Sequence, residues 1–169
     1  MENEKGGSKM KFDRTMKEWG MFGSLYELFK KCMMQKQQDK RQKNLWLQCV
    51  SYGQDYMDDN GIQSLSYELA YDLYDFAASN KRNYSFTFDS DSTEKRMFTE
   101  FYTLCQKYWN PETENPDNYW DHCINDFNSF ANKFSTIQGE TFELPKVWSL
   151  SVLSFLDKKS HIIKRGNRT

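Results

Sequence analysis

The chain reads as an all-α protein, or nearly so, of about six helices arranged as two tandem three-helix repeats packed together. Three observations predict this. Apolar residues recur at three- and four-residue steps through most of the 169 residues, the signature of one buried helical face. Gly and Pro are scarce, with 8 and 3 copies, whereas turn-rich β folds use many of both. Two halves of the chain also align at nearly constant spacing, the mark of an internal repeat.

The elements follow in order. Residues 1–9 are polar, contain no apolar signal-peptide core and read as a disordered leader. A first repeat spans 10–82. Its first helix opens at Thr15, with Glu18 three positions on as a capping box. Met16, Trp19, Phe22, Tyr26, Phe29 and Met33 form its apolar face. Gly20 and Gly23 lie inside it as candidate bends. A basic connector runs from Gln35 to Lys43. The second helix carries Leu45, Trp46, Cys49, Val50, Tyr56 and Met57 and stops at Asn60-Gly61, a C-cap pair. The third starts near Ser64 and carries Leu65, Leu69, Leu73, Phe76 and Ala77.

Tyr84, Phe86 and Phe88 then alternate with Ser85 and Thr87. This period of two signals one short strand or an extended linker, placed at 83–91, with Met10–Phe12 or Thr141–Leu144 as the nearest pairing segments. The second repeat covers 92–160. Ser90, Asp91 or Ser92 caps its first helix, which carries Met97, Phe101, Leu104, Cys105 and Tyr108 and stops before Asn110-Pro111. Pro116 opens the next helix, with Trp120, Cys123, Ile124, Phe127, Phe130 and Phe134. Pro145 opens the last, with Val147, Trp148, Leu150, Val152, Leu153, Phe155 and Leu156. Residues 161–169 read as a frayed basic tail.

The repeat rests on three blocks. Phe22, Leu25, Tyr26, Leu28 and Lys31 match Phe98, Phe101, Tyr102, Leu104 and Lys107 at an offset of 76. Trp46, Cys49 and Val50 match Trp120, Cys123 and Ile124 at 74, and Leu65, Leu69, Leu73 and Phe76 match Leu144, Trp148, Val152 and Phe155 at 79. The shared Trp-x-x-Cys is the most specific block, since its two residues share one helical face.

Chemistry is sparse. The histidines are His122 and His161. His122 and Cys123 are adjacent on a helix and diverge by about 100°, too far to act as a nucleophile and its base. Asp89, Asp91, Thr93 and Glu100 fall at EF-hand spacing, but Glu94 stands where that loop needs glycine, and a helix cap explains them better. No phosphate loop, dinucleotide fingerprint or nucleophile elbow occurs. The four cysteines match no zinc spacing and read as free thiols of a reducing compartment. The expectation is a cytoplasmic protein without enzyme activity, metal or cofactor, with no membrane segment, and a monomer or homodimer.

Binding is the remaining reading. Tyr67, Tyr71 and Tyr74 form a stripe at i, i+4 and i+7, and Trp109 and Tyr119 also fall off the expected core faces. Exposed aromatics of this kind anchor protein partners. The formal net charge is −1, which argues against a strongly basic nucleic-acid binder. Bases nevertheless cluster at Lys30, Lys31, Lys36, Lys40, Arg41 and Lys43, and again at Lys158, Lys159, Lys164 and Arg165. They define an alternative in which these side chains contact phosphates.

Phe98 and Tyr102, Lys107-Tyr108, Tyr119-Trp120 and the closing Phe155-Leu156-Asp157-Lys158-Lys159 resemble a pattern of small uncharacterised helical proteins of Firmicutes phages, prophages and mobile elements. The resemblance covers about a third of the chain. It implies a mobile-element origin and an accessory role, such as inhibition of a host defence protein in the manner of anti-CRISPRs.

Overall fold

A computed structural model describes residues 11–34, 39–55, 65–79 and 84–166. The leader 1–9 and the Asn60-Gly61 cap lie outside them. Among the described residues there are six helices: α1 (Lys17–Met34), α2 (Asp39–Asp55), α3 (Leu65–Ser79), α4 (Thr93–Tyr108), α5 (Pro116–Lys133) and α6 (Leu144–Gly166). A two-stranded antiparallel hairpin, β1 (Thr136–Ile137) and β2 (Glu140–Thr141), separates α5 from α6. No helix among the described residues is long and apolar enough to cross a membrane.

Several boundaries move. The basic connector ends early, because α2 begins at Asp39. Gly20 and Gly23 do not break α1. Thr15 does not cap α1 directly. Its backbone N–H donates to the Asp13 carboxylate at 2.8 Å, and Met16 N–H donates to the Asp13 carbonyl at 3.0 Å. Ser92 does cap α4, accepting from Lys95 N–H at 3.3 Å. The tail is helical as far as Gly166.

Residues 84–88 join no ladder among the described residues, and they are not a loose linker. Phe86 and Phe88 are buried. The segment is tied to the hairpin by side chains: Tyr84 Oη–H donates to the Thr141 carbonyl at 2.5 Å, and the Gln138 amide exchanges bonds of 2.9 and 3.0 Å with Ser85. Gln138 and Gly139 both have positive φ, 55° and 78°, as a two-residue hairpin turn matching strand twist requires.

Equivalent elements of the two repeats begin alike. The 76-residue offset extends upstream to Phe12-Asp13 and Phe88-Asp89, and both phenylalanines are buried. Ser92 N–H donates to the Asp89 carbonyl at 3.0 Å, the same bond that Met16 makes to Asp13. Residues 88–92 thus lead into α4 with the same turn that residues 12–16 make before α1.

The halves meet as a two-fold pair would. In such an interface, if i contacts j′ then j contacts i′. Phe22 packs on Tyr102 with ring centres 5.3 Å apart, and Tyr26 packs on Phe98 at 5.0 Å. Phe12 meets Tyr102 at 5.9 Å, and Phe88 meets Tyr26 at 6.0 Å. Between α3 and α6, matched positions touch directly. Trp148 Nε1–H donates to the Leu69 carbonyl at 3.1 Å, and Ser151 Oγ–H donates to Asp72 Oδ2 at 2.5 Å, both across 79 residues. A local dyad thus runs between α1 and α4 and between α3 and α6, through one shared core.

The trios differ in one close approach. A Cβ on Gly53 would stand 2.9 Å from Tyr67 Cδ2 and 3.0 Å from Tyr67 Cα, so glycine lets α2 lie tight on α3. Its counterpart at offset 74 is the buried Phe127, whose ring packs on Tyr108 of α4 with centres 6.2 Å apart.

Asp72 gives this interface a pH dependence. Burial, then the nearby charges of Glu68 and Asp75, raise its carboxyl to about 6, against the opposing Ser151 bond. The folded state then holds a proton that the unfolded state releases near 3.8. Stability should fall as pH rises from about 4 to about 6 and stay flat above. Asp72→Asn keeps an acceptor for Ser151 and removes the charge. Urea melts should show the variant more stable at pH 7, by up to about 1 kcal/mol after allowance for partial exposure, and level with wild type at about pH 3, below the unfolded value of 3.8.

Candidate functional site

The expected aromatic surface is only partly available. Tyr71 is 48% exposed, and Tyr67 and Tyr74 are half-buried. Trp46 of α2 lies over the stripe, with ring centres 4.8 Å from Tyr74 and 6.4 Å from Tyr71. Trp109 and Tyr119 are buried and cannot anchor a partner. Trp109 packs between Phe12 at 5.2 Å and Phe155 at 5.2 Å. Tyr119 donates its hydroxyl to the Tyr108 carbonyl at 2.5 Å, closing the end of α4.

Two of the expected phosphate contacts are occupied within the fold. Lys159 Nζ donates to the Trp109 carbonyl at 2.6 Å and lies 4.6 Å from the centre of that ring. Burial lowers its ammonium to about 8. Lys30 sits 5.2 Å over the Tyr26 ring and 3.4 Å from Glu27. Lys31, Lys158, Lys164 and Arg165 are exposed. Lys36 and the side chains of Lys40, Arg41 and Lys43 lie outside the described residues.

The titratable groups that cluster do structural work. Asp126 accepts from Tyr108 Oη at 2.5 Å and from Lys107 Nζ at 3.1 Å, tying α4 to α5. Burial pushes the Cys123 thiol up to about 12, so it carries no thiolate at neutral pH. His122 is exposed. No group of three metal-binding side chains occurs among the described residues, and Cys32, Cys49, Cys105 and Cys123 are buried free thiols.

A different surface stands out. An open apolar groove of about 280 Å³ lies between α1 and α4. It is lined by Trp19, Phe22, Gly23 and Tyr26 and by their repeat counterparts Lys95, Phe98, Thr99 and Tyr102. Every lining residue has its mate at offset 76, so the groove straddles the local dyad. The rings of Phe22, Tyr26, Phe98 and Tyr102 interlock as its floor, and Trp19 projects beside it, 44% exposed.

Gly23 keeps the groove open. A Cβ there would meet nothing within 4 Å, so no neighbour demands glycine. Glycine inside a helix sacrifices about 0.5–1 kcal/mol relative to alanine. Its mate in α4 is Thr99, a residue with a side chain. The helix thus carries a destabilising residue on the wall of the groove, where a side chain would narrow it; Gly23 also borders a second groove toward α2.

Periodicity alone assigned Trp19, Phe22 and Tyr26 to the core and Gly23 to a bend. The groove could have been suspected from the repeat, because matched residues next to a dyad come from both copies. Comparisons with protein-family models, with curated proteins and with solved structures find no match for this chain.

Proposed function

We propose that this protein is a non-enzymatic binding module that captures a protein partner in the groove between α1 and α4. The observation that carries the reading is an open aromatic cleft between α1 and α4, presenting the exposed Trp19 and the half-buried Tyr26 and Tyr102 over buried Phe22 and Phe98 and left open by a glycine the fold does not require. Aromatic side chains in a concave, partly desolvated setting are the residues on which binding energy concentrates. The exposed Tyr71 and the half-buried Tyr67 and Tyr74 are a secondary contact surface. The resemblance of residues 98–159 to small phage and mobile-element proteins makes a host protein the partner, with an inhibitor of host defence as the role. The nucleic-acid alternative rests on fewer bases, since Lys159 and Lys30 serve the fold.

Affinity capture from the native host, read by mass spectrometry, tests this reading. Gly23→Leu should fold as wild type and lose the specifically retained protein, whereas Tyr71→Ala should reduce recovery only a few-fold. Retention of the same protein by Gly23→Leu would refute the groove as the capture site.

A further inference from the structure

The groove is built by symmetry but its ends are chemically different. Trp19 and Lys95 occupy matching positions, one turn before Phe22 and Phe98. Because Phe22 faces Tyr102 and Tyr26 faces Phe98, α1 and α4 run antiparallel across the groove. Trp19 therefore stands at the Tyr102 end and Lys95 at the Tyr26 end. The Lys30 ammonium also lies over the Tyr26 ring but is paired with Glu27 at 3.4 Å, so Lys95 is the cation at that end left for a ligand. Among the described residues no carboxylate pairs with Lys95.

Length follows from the same register. Carried one turn beyond the two ring pairs, that register sets Trp19 opposite residue 105, ten positions along α4 from Lys95, a rise of roughly 15 Å. A helix spans that distance in about three turns, and helix-in-groove docking uses apolar anchors at such spacing. The volume is just below that of small-molecule pockets, which run about 300–1,000 Å³ and bury most of their ligand. An open trough suits a chain segment better.

We infer that the occupant is an amphipathic helix of the partner protein. It places a bulky apolar anchor beside Trp19 and an Asp or Glu, about ten residues away, against Lys95. This rests on the binding-module reading above and adds the partner's chemistry and direction. Apolar burial on the exposed Trp19 and the half-buried Tyr26 and Tyr102 supplies affinity, over the buried Phe22 and Phe98. The single cation fixes orientation, because the reversed helix would leave its carboxylate beside Trp19 and Lys95 without a partner.

The test is selection of a display library of roughly fifteen-residue helices on the full-length protein. Selected helices should carry an acid at one end and an apolar anchor about ten positions away. Lys95→Glu should weaken them by about tenfold or more, and exchanging their acid for lysine should restore binding to that variant. Gly23→Leu, checked for folding by circular dichroism, should lose them altogether. Selected helices without an acidic end, or a change under about twofold in Lys95→Glu, overturn the inference. So does a library that yields no helix while anilinonaphthalene sulfonate fills the groove, which would make the occupant a small aromatic acid. If Gly23→Leu abolishes capture of the native partner and Lys95→Glu leaves it intact, the acidic-helix inference fails and the binding module stands. If neither substitution affects capture, both fail.

Discussion

Replacing Trp148 with alanine should destabilise the protein by about 3–5 kcal/mol, the range for large aromatics truncated in a core. Trp148 is fully buried. Its ring lies on Phe101 at 5.0 Å, Phe29 at 5.7 Å and Phe98 at 6.0 Å, and so joins α1, α4 and α6. Its Nε1–H donates to the Leu69 carbonyl on α3. Alanine opens a cavity where both trios meet and removes their best-centred hydrogen bond. Trp148→Phe should cost less, since most of the ring volume remains. Urea denaturation of the three proteins measures both effects. A loss below about 1 kcal/mol in Trp148→Ala would mean that the interface is not the keystone of the fold.

Glu94→Ala should cost about 2–4 kcal/mol, and Glu94→Gln distinctly less. Glu94 is buried at 3% exposure. One of its oxygens accepts Thr87 N–H at 2.9 Å and Phe88 N–H at 3.1 Å. Alanine leaves two donors without an acceptor, and a buried unsatisfied group costs roughly 1–3 kcal/mol. Glutamine keeps the carbonyl oxygen. The location sharpens the effect. Phe88 has φ of 57°, a left-handed conformation costly for a bulky residue. Its ring is held by Phe29 at 5.1 Å and Tyr26 at 6.0 Å, and Glu94 holds its backbone. Without that carboxylate the 84–88 segment should loosen first, seen as faster amide exchange at Phe86 and Phe88 than in α5.

The helices were legible because a 3.6-residue period needs only local pattern. The repeat was legible because Trp-x-x-Cys and the Phe–Tyr–Leu–Lys block survive in both halves. What failed was context. Tyr84, Phe86 and Phe88 alternate like a strand, and that local signal hid the match of Phe88-Asp89 to Phe12-Asp13. Trp109 and Tyr119 lie off the expected stripes of their own elements, yet other elements cover them. Phe155 of α6 and Phe12 enclose Trp109, and Tyr108 draws Tyr119 inward. Lys159 reads as a surface base until the Trp109 carbonyl beside it is seen. The groove was the least legible feature, since its walls come from helices 76 residues apart. Its most informative residue, Gly23, is marked by what a missing side chain leaves open.

The shared core around a local dyad is tested most directly by amide hydrogen exchange on the full chain, comparing wild type with Trp148→Ala. The slowest amides of α3 and α6 should open together in one global event. The substitution, although made in the second trio, should lower protection in α3 and α6 by equal free energies. Protection in α3 that survives Trp148→Ala unchanged, with loss confined to α4–α6, would show two independently stable trios and contradict the account.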